Sequence, residues 1–196
     1  MKRLFDIFFS LLGIVVASPI FLIISLLIKI EDGGPVFFRG KRVGKEGKVF
    51  RIFKFRTMVR DAESLGGPST SADDERLTRI GRKLRSHNLD ELPQFIDVLR
   101  GKMSFVGPRP EVPQEVETYD KETREIILSM RPGITDLATL EDIHEEEILK
   151  GSKDPHQTYR ELIKPKKLRL AKQYVKTRSF WLDIKIILRT VRSAIL

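Results

Sequence analysis

From Ile7 to Ile28 the chain carries no charged side chain over 22 positions. As a helix rising roughly 1.5 Å per residue, that run would reach about 33 Å, near the thickness of a bilayer's hydrocarbon core. A secretory leader fits poorly, because the apolar run continues well past Val15-Val16-Ala17, the one small-residue stretch that resembles a cleavage signal. Ser18-Pro19 falls near its middle. Proline deletes a backbone donor and its ring collides with the preceding turn, so a kink or break is expected there. The Ser18 hydroxyl can help satisfy a backbone group freed at that point. Lys2 and Arg3 flank one side; Lys29, Arg39, Lys41 and Arg42 flank the other. A hairpin dipping into one leaflet keeps both flanks on the cytoplasmic side, whereas a straight crossing violates the positive-inside tendency at one end. Proline is also common in ordinary membrane helices, so re-entry and a kinked crossing both stay open.

The remainder suffices for one domain in a chain of 196 residues. Lys+Arg 36 against Asp+Glu 27 gives a formal charge of +9, which points to an anionic partner: a membrane surface, a phosphate substrate or nucleic acid. The absence of cysteine excludes disulfides, thiol nucleophiles and cysteine-based zinc sites. Residues 37 to 60 hold nine cations and one acid, Glu46, around turn-forming Gly44 and Gly47, and read as a short basic hairpin facing anionic headgroups. Residues 61 to 75, with Gly66-Gly67-Pro68-Ser69-Thr70-Ser71, read as a loop. Arg79, Arg82 and Arg85 then recur on one helical face, with Leu77, Ile80 and Leu84 on another. That cationic face suits phospholipid or a substrate anion equally well. Near the C-terminus, Phe180, Ile184, Ile187, Val191 and Ala194 form an apolar stripe opposite Asp183, Lys185, Arg189 and Arg192. Upstream, residues 164 to 178 add seven cations without an acid. Both segments are expected along the membrane beside the N-terminal anchor, with packing on the domain core as the competing arrangement. No internal repeat is present, and His87, His144 and His156 show no metal-ligand spacing.

The stretch Arg85-Ser86-His87-Asn88-Leu89-Asp90-Glu91-Leu92-Pro93-Gln94-Phe95 carries the most chemical information. Leu92, Phe95, Ile96 and Leu99 outline a short helix that Gly101 would end, which sets Asp90 and Glu91 at its N-terminus. Taken alone, an Asp-Glu pair there is better explained by helix capping, although Pro93 removes one of the usual capping donors. The chemical alternative is a carboxylate nucleophile beside a ligand for a hard cation such as Mg²⁺. Arg109, between Pro108 and Pro110, is a stiffly presented guanidinium suited to phosphate.

Four segments in this order, Lys54-Phe55-Arg56-Thr57-Met58, Leu89-Asp90-Glu91-Leu92-Pro93-Gln94, Met103-Ser104-Phe105-Val106-Gly107-Pro108-Arg109-Pro110 and Arg131-Pro132-Gly133-Ile134-Thr135, resemble the bacterial sugar transferases known as small monotopic phosphoglycosyl transferases. Ser18-Pro19, Gly34-Pro35-Val36-Phe37-Phe38 and Ser179-Phe180-Trp181-Leu182-Asp183 extend the resemblance over nearly the whole chain. It implies a helix-rich α/β protein: a re-entrant membrane helix over residues 1–30 broken at Ser18 and Pro19, then a catalytic domain over 31–196 with interfacial helices. It also implies a monotopic enzyme on the cytoplasmic face of the bacterial inner membrane. Asp90 would attack the sugar-linked phosphorus of a UDP-sugar and expel UMP, and polyprenyl phosphate would then take the phosphosugar, beginning assembly of an exopolysaccharide, O-antigen, capsule or glycoprotein glycan. Glu91 would ligate Mg²⁺, while Lys54, Arg85 and Arg109 would hold phosphate charge.

The chain departs from the family pattern in places. Gly40 stands where many members have glutamine, Lys102 where an acid is common, Asp136 where glycine follows Ile-Thr, and Ala171 where Asp is frequent. Leu137-Ala138-Thr139-Leu140-Glu141-Asp142 lacks the Trp-Ala-Gln-Val-Asn-Gly pattern of better-known members, while Asp154 to Lys167 resembles a variant found in some of them. These changes point to an altered donor preference. Two rival classes remain: a non-enzymatic basic membrane-surface module whose Asp-Glu pair caps a helix, and a nucleic-acid binder. The second has no use for the N-terminal apolar run and shows no complete motif. Membrane phospholipid is therefore an expected partner and nucleic acid is not. The sequence identifies neither the sugar nor the oligomeric state.

Overall fold

A computed structural model describes residues 2–67, 69–141 and 145–195. Pro68, Asp142, His144 and the side chain of Ala194 lie outside the described set. The break expected at Ser18 and Pro19 is not present: the apolar run forms one helix, α1 (Lys2–Asp32), continuous through Pro19. Proline cannot donate to Val15 O four residues back, and the Ser18 hydroxyl donates to that carbonyl instead at 2.8 Å. The side chains of Leu4, Leu22 and Ile30 are more than 70% exposed, while Asp6, Ser10, Ala17, Ile24 and Ile28 form a buried stripe along the opposite face. That stripe rests on the domain from end to end. Asp6 accepts from Ser104 Oγ at 3.1 Å, a Cβ on Gly13 would meet the Phe95 ring at 2.8 Å, and Ile24 and Ile28 pack with Phe55 and Leu84.

Most of the elements that follow α1 are short. Strands β1 (Phe37–Phe38), β2 (Lys41–Val43), β3 (Val49–Arg51) and β4 (Lys54–Phe55) precede helices α2 (Ala62–Leu65), α3 (Arg79–Ser86) and α4 (Gln94–Leu99). Strand β5 (Ser104–Val106), helices α5 (Pro113–Glu117) and α6 (Lys121–Leu128), strand β6 (Gly133–Thr135) and helices α7 (Glu145–Leu149), α8 (Pro155–Thr158), α9 (Lys164–Thr177) and α10 (Phe180–Ile195) complete the order. The expected basic hairpin is β2–β3, with Arg42 opposite Phe50, and β1–β4 pair beside it, Phe37 opposite Phe55. Strands β5 and β6 run parallel. The α/β expectation thus takes the form of a helix-rich fold with three two-stranded sheets among the described residues. The loop over 61 to 75 is gathered by Arg76, which donates to Asp74, Ala62 O, Gly67 O and Ser69 O.

The C-terminal expectations need correction. Helix α9 packs on the core through Leu170 and Tyr174, and three of its cations meet acids: Lys164 with Glu115, Lys167 with Glu145 at 2.6 Å, Lys166 with Glu141 at 3.7 Å. The acids come from elsewhere in the chain, so a count within α9 could not see them. In α10, Asp183 belongs to the buried face. It accepts from Lys2 Nζ and from Tyr174 OH, both at 2.5 Å, beside fully buried Ile186. Phe180, Trp181, Leu188 and Val191 point outward, and Phe180 meets Phe5 edge-on at 5.9 Å, so α10 does lie beside α1.

Candidate active site

Helix α3 ends where Asn88 adopts a left-handed conformation (φ 55°), with its N–H donating to Arg85 O at 3.0 Å. Asparagine tolerates that geometry better than most residues, and it turns the chain into a 3₁₀ turn over Leu89–Glu91. Asp90 and Glu91 are therefore held in a turn ahead of α4. The expectation that Asp90 caps the helix is not met: Pro93 occupies the N-cap position and no side chain bonds there. The bare capping explanation for the pair loses its geometric basis.

Three other segments converge on this turn. Strand β4 carries Lys54, whose Nζ donates to Glu91 Oε1 at 2.7 Å and lies 3.7 Å from Asp90 Oδ2. The segment after β5 carries Arg109, which donates to both Glu91 oxygens and to Ile134 O at 3.1 Å. Arg109 is aimed because Gly107-Pro108-Arg109-Pro110 lies directly on the Arg131–Thr135 segment. Gly107 N–H donates to Thr135 O at 3.1 Å and Gly133 N–H to Pro108 O at 3.0 Å. A Cβ on Gly133 would fall 2.1 Å from Gly107 N, so this approach requires glycine. Two of the sequence motifs are thus one structural unit. Arg85, near the end of α3, adds positive potential at Asp90.

Asp90 and Glu91 are both under 10% exposed, yet they respond to burial in opposite ways. Burial pushes the Asp90 carboxyl above the usual range, and neighbouring Glu91 adds to the rise against the pull of Lys54, Arg85 and Arg109. For Glu91 burial acts in the same direction but is outweighed by direct pairing with Arg109 and Lys54, which holds it well below the ordinary glutamate range. The turn presents one firmly ionised carboxylate beside one that is reluctant to ionise. Such a split suits two different chemical roles.

The structure unites Lys54, Asp90, Glu91 and Arg109, with Arg85 alongside. Ser18 and Pro19 are exposed on α1 and take no part. The sequence reading missed Asp97, which accepts from Phe53 N–H at 2.7 Å and so fastens the start of β4 to α4. Its only signal was an acid on a short, otherwise uncharged helix. It also missed Gln94, one turn beyond Asp90 and 1% exposed, whose side-chain amide nitrogen has no hydrogen-bond partner among the described residues.

A family model described as bacterial sugar transferase matches residues 1–196. The chain belongs to the bacterial sugar transferase family. It is 37% identical over 202 residues to the UDP-N-acetylgalactosamine-undecaprenyl-phosphate N-acetylgalactosaminephosphotransferase of Aeromonas hydrophila, an alignment covering 98% of this chain and 43% of that protein. It is 38% identical over 205 residues to the undecaprenyl-phosphate glucose phosphotransferase of Komagataeibacter xylinus, covering 99% and 36%. With the UDP-glucose:undecaprenyl-phosphate glucose-1-phosphate transferase of Caulobacter vibrioides it shares 37% over 194 residues, covering 98% and 68%. The chain therefore spans less than half the length of the first two relatives. Within the sugar transferase family, the relatives' names differ in the sugar but agree on the undecaprenyl-phosphate acceptor.

Proposed function

We propose that this chain transfers a sugar-1-phosphate from a UDP-sugar to polyprenyl phosphate, the first membrane step in building a bacterial glycan. The observation that carries the proposal is the convergence of Lys54, Arg109 and the Asp90–Glu91 turn from three separate segments into one half-buried cationic cluster. A Lys-and-Arg cradle suits a diphosphate, and the acid pair supplies a nucleophile within it. Asp90, in the deprotonated form that Lys54, Arg85 and Arg109 favour against burial and Glu91, attacks the sugar-linked phosphorus; the bond to the UMP oxygen breaks and UMP leaves with that electron pair. An oxygen of polyprenyl phosphate then attacks the same phosphorus and releases the Asp90 carboxylate. Lys54 and Arg109 offset the phosphate charge through both steps.

The donor set also fits Mg²⁺. Glu91 Oε1 already accepts from Lys54 and Arg109, but among the described residues Oε2 accepts only from Arg109 and keeps a lone pair. No group of three or more His, Asp or Glu among the described residues could cage a metal, and Mg²⁺ commonly binds one or two carboxylates together with substrate phosphates. Glu91 would hold the ion, which would neutralise phosphate charge when bound with the donor.

The proposed placement is monotopic on the cytoplasmic face of the inner membrane: residues 1–30 lie in one leaflet, and 31–196 form the catalytic domain. Contacts of both α1 ends with one domain support it, since a straight crossing would carry one end away. Lys2 meets Val106 O and Asp183, while Asp32 meets Arg56. Tags fused before residue 1 and after residue 196 should both be inaccessible from outside intact cells. Exposure of the first means a full crossing.

The activity is tested by screening UDP-sugars for UMP release in bilayer discs containing polyprenyl phosphate. One donor should release UMP, and Asp90→Asn should lower that rate by about a thousandfold or more while the protein stays membrane-bound. Equal, measurable rates in the variant would remove Asp90 as the nucleophile, and no UMP release from any donor would leave only a basic membrane-surface module.

A further inference from the structure

The Asp90 turn hangs between α3 and α4, and the outer end of each helix is completed by a side chain from α1. At the C-terminus of α4, Gly101 N–H donates to Val98 O and Lys102 N–H to Asp97 O, both at 2.9 Å, around a left-handed Gly101 (φ +74°). Leu99 O remains. Arg3 takes it: Nη2 donates to Leu99 O at 2.9 Å while Nη1 donates to Val98 O at 2.6 Å. A Cβ on Gly101 would sit 3.2 Å from Arg3 Nη2, so the glycine also leaves room for the guanidinium. At the N-terminus of α3, Thr78 Oγ1 accepts from Gly81 N–H at 2.9 Å. The two preceding donors, Arg79 N–H at 2.7 Å and Ile80 N–H at 3.3 Å, go to the Glu31 carboxylate. Each sign suits the helix end it meets, a cation at a C-terminus and an anion at an N-terminus.

We propose that Arg3 and Glu31 are positioning residues for the Asp90 turn, and that α1 uses these two caps to set where Asp90 and Glu91 stand against Lys54 and Arg109. The proposal rests on the reading of that turn as the reacting pair. Helix α3, the turn and α4 form one uninterrupted path whose outer ends are both tied to the same helix. Moving either end of α1 therefore moves the turn, and misplacement by about 1 Å is enough to cost a reaction roughly a hundredfold.

The test compares wild type with Arg3→Met, Arg3→Lys and Glu31→Ala in bilayer discs. Arg3→Lys keeps the positive flank and one hydrogen bond, and Glu31→Ala, which leaves every flanking cation in place, separates capping from membrane orientation. Amide exchange in a peptide covering residues 86–94 should quicken by about tenfold in Arg3→Met and Glu31→Ala, while the 41–51 hairpin stays unchanged. In UMP release, kcat should fall by about tenfold with the donor KM within about twofold, and Arg3→Lys should recover most of the loss. Unchanged exchange over 86–94, or an unchanged kcat, overturns the proposal, as does a loss that only tracks protein released from the membrane. If wild type releases UMP from no donor, the reading of the activity fails, and the exchange measurement still decides the clamp.

Discussion

Helices α1 and α9 invert what their compositions suggest. The apolar α1 leaves most of its large side chains uncovered, and the cationic α9 buries Lys164 to 8% exposure. What decides each case is the partner available. Lys164 and Arg160 converge on Glu115, itself 1% exposed, with His156 Nε2 at 3.3 Å, so charge is buried with its counter-charge. The outward residues of α1 are exposed, and water would be a poor solvent for so long an apolar face. Lipid is the environment that removes the conflict.

The comparison can be broken at either end. Replacing Glu115 by Leu strands two cations in a site built for three charges, and should lower unfolding stability by about 3–5 kcal/mol in urea titrations. A loss under about 1 kcal/mol would mean that α9 is held by its apolar residues alone. The same site has a pH signature. Burial works against the Glu115 charge, but Arg160 and Lys164 prevail and hold its carboxyl below the ordinary range. Its contribution is present above the unfolded-state pKa of about 4.5 and is lost as pH falls through the lower folded value. Glu115→Gln should flatten that acid-side slope.

On α1, Val16→Arg places a charge on a side chain that is 68% exposed. In water such a change costs little, whereas within a bilayer it costs about 3 kcal/mol, so membrane partition should fall by roughly a hundredfold. An unchanged partition coefficient would put this face of α1 in water or against protein. Asp90 is a case between the two helices, since its burial outweighs its cations and leaves it raised. A raised carboxyl is stabilising only while protonated, and that stability is lost as pH rises through the folded value. Asp90→Asn should therefore melt at the same temperature or higher at neutral pH, even as activity collapses; a clear drop would show that the ionised form supports the fold. The smallest effect belongs to Lys166→Met. Its partner Glu141 is 3.7 Å away and both are half-exposed, so stability should move by no more than about 0.5 kcal/mol.

Much of this was legible along the chain. The 22-residue uncharged run became α1, the glycine-punctuated cations became the β2–β3 hairpin, and Arg79, Leu84 and Arg85 fell on the expected helix. Lys54, Asp90, Glu91 and Arg109 were named from motifs and lie together. What escaped was long-range pairing. Nothing near Lys164 in sequence announces Glu115, and nothing near Asp183 announces Lys2 and Tyr174. The stripe chosen for α10 followed apolar spacing, while the buried face was set by where an acid could find donors. The turn around Asp90 was misplaced for a local reason: left-handed Asn88 begins a 3₁₀ turn before α4, a choice that helical periodicity does not register.

The central claim is that a covalent bond forms between the Asp90 carboxyl and the phosphorus of a sugar phosphate. Quenching the protein during turnover with the UDP-sugar that releases UMP, without lipid acceptor, and weighing the peptide that contains Asp90 tests it directly. The account predicts an added phosphosugar mass on that peptide, removed by polyprenyl phosphate and absent in Asp90→Asn. An unmodified peptide under conditions where UMP is still released would contradict it.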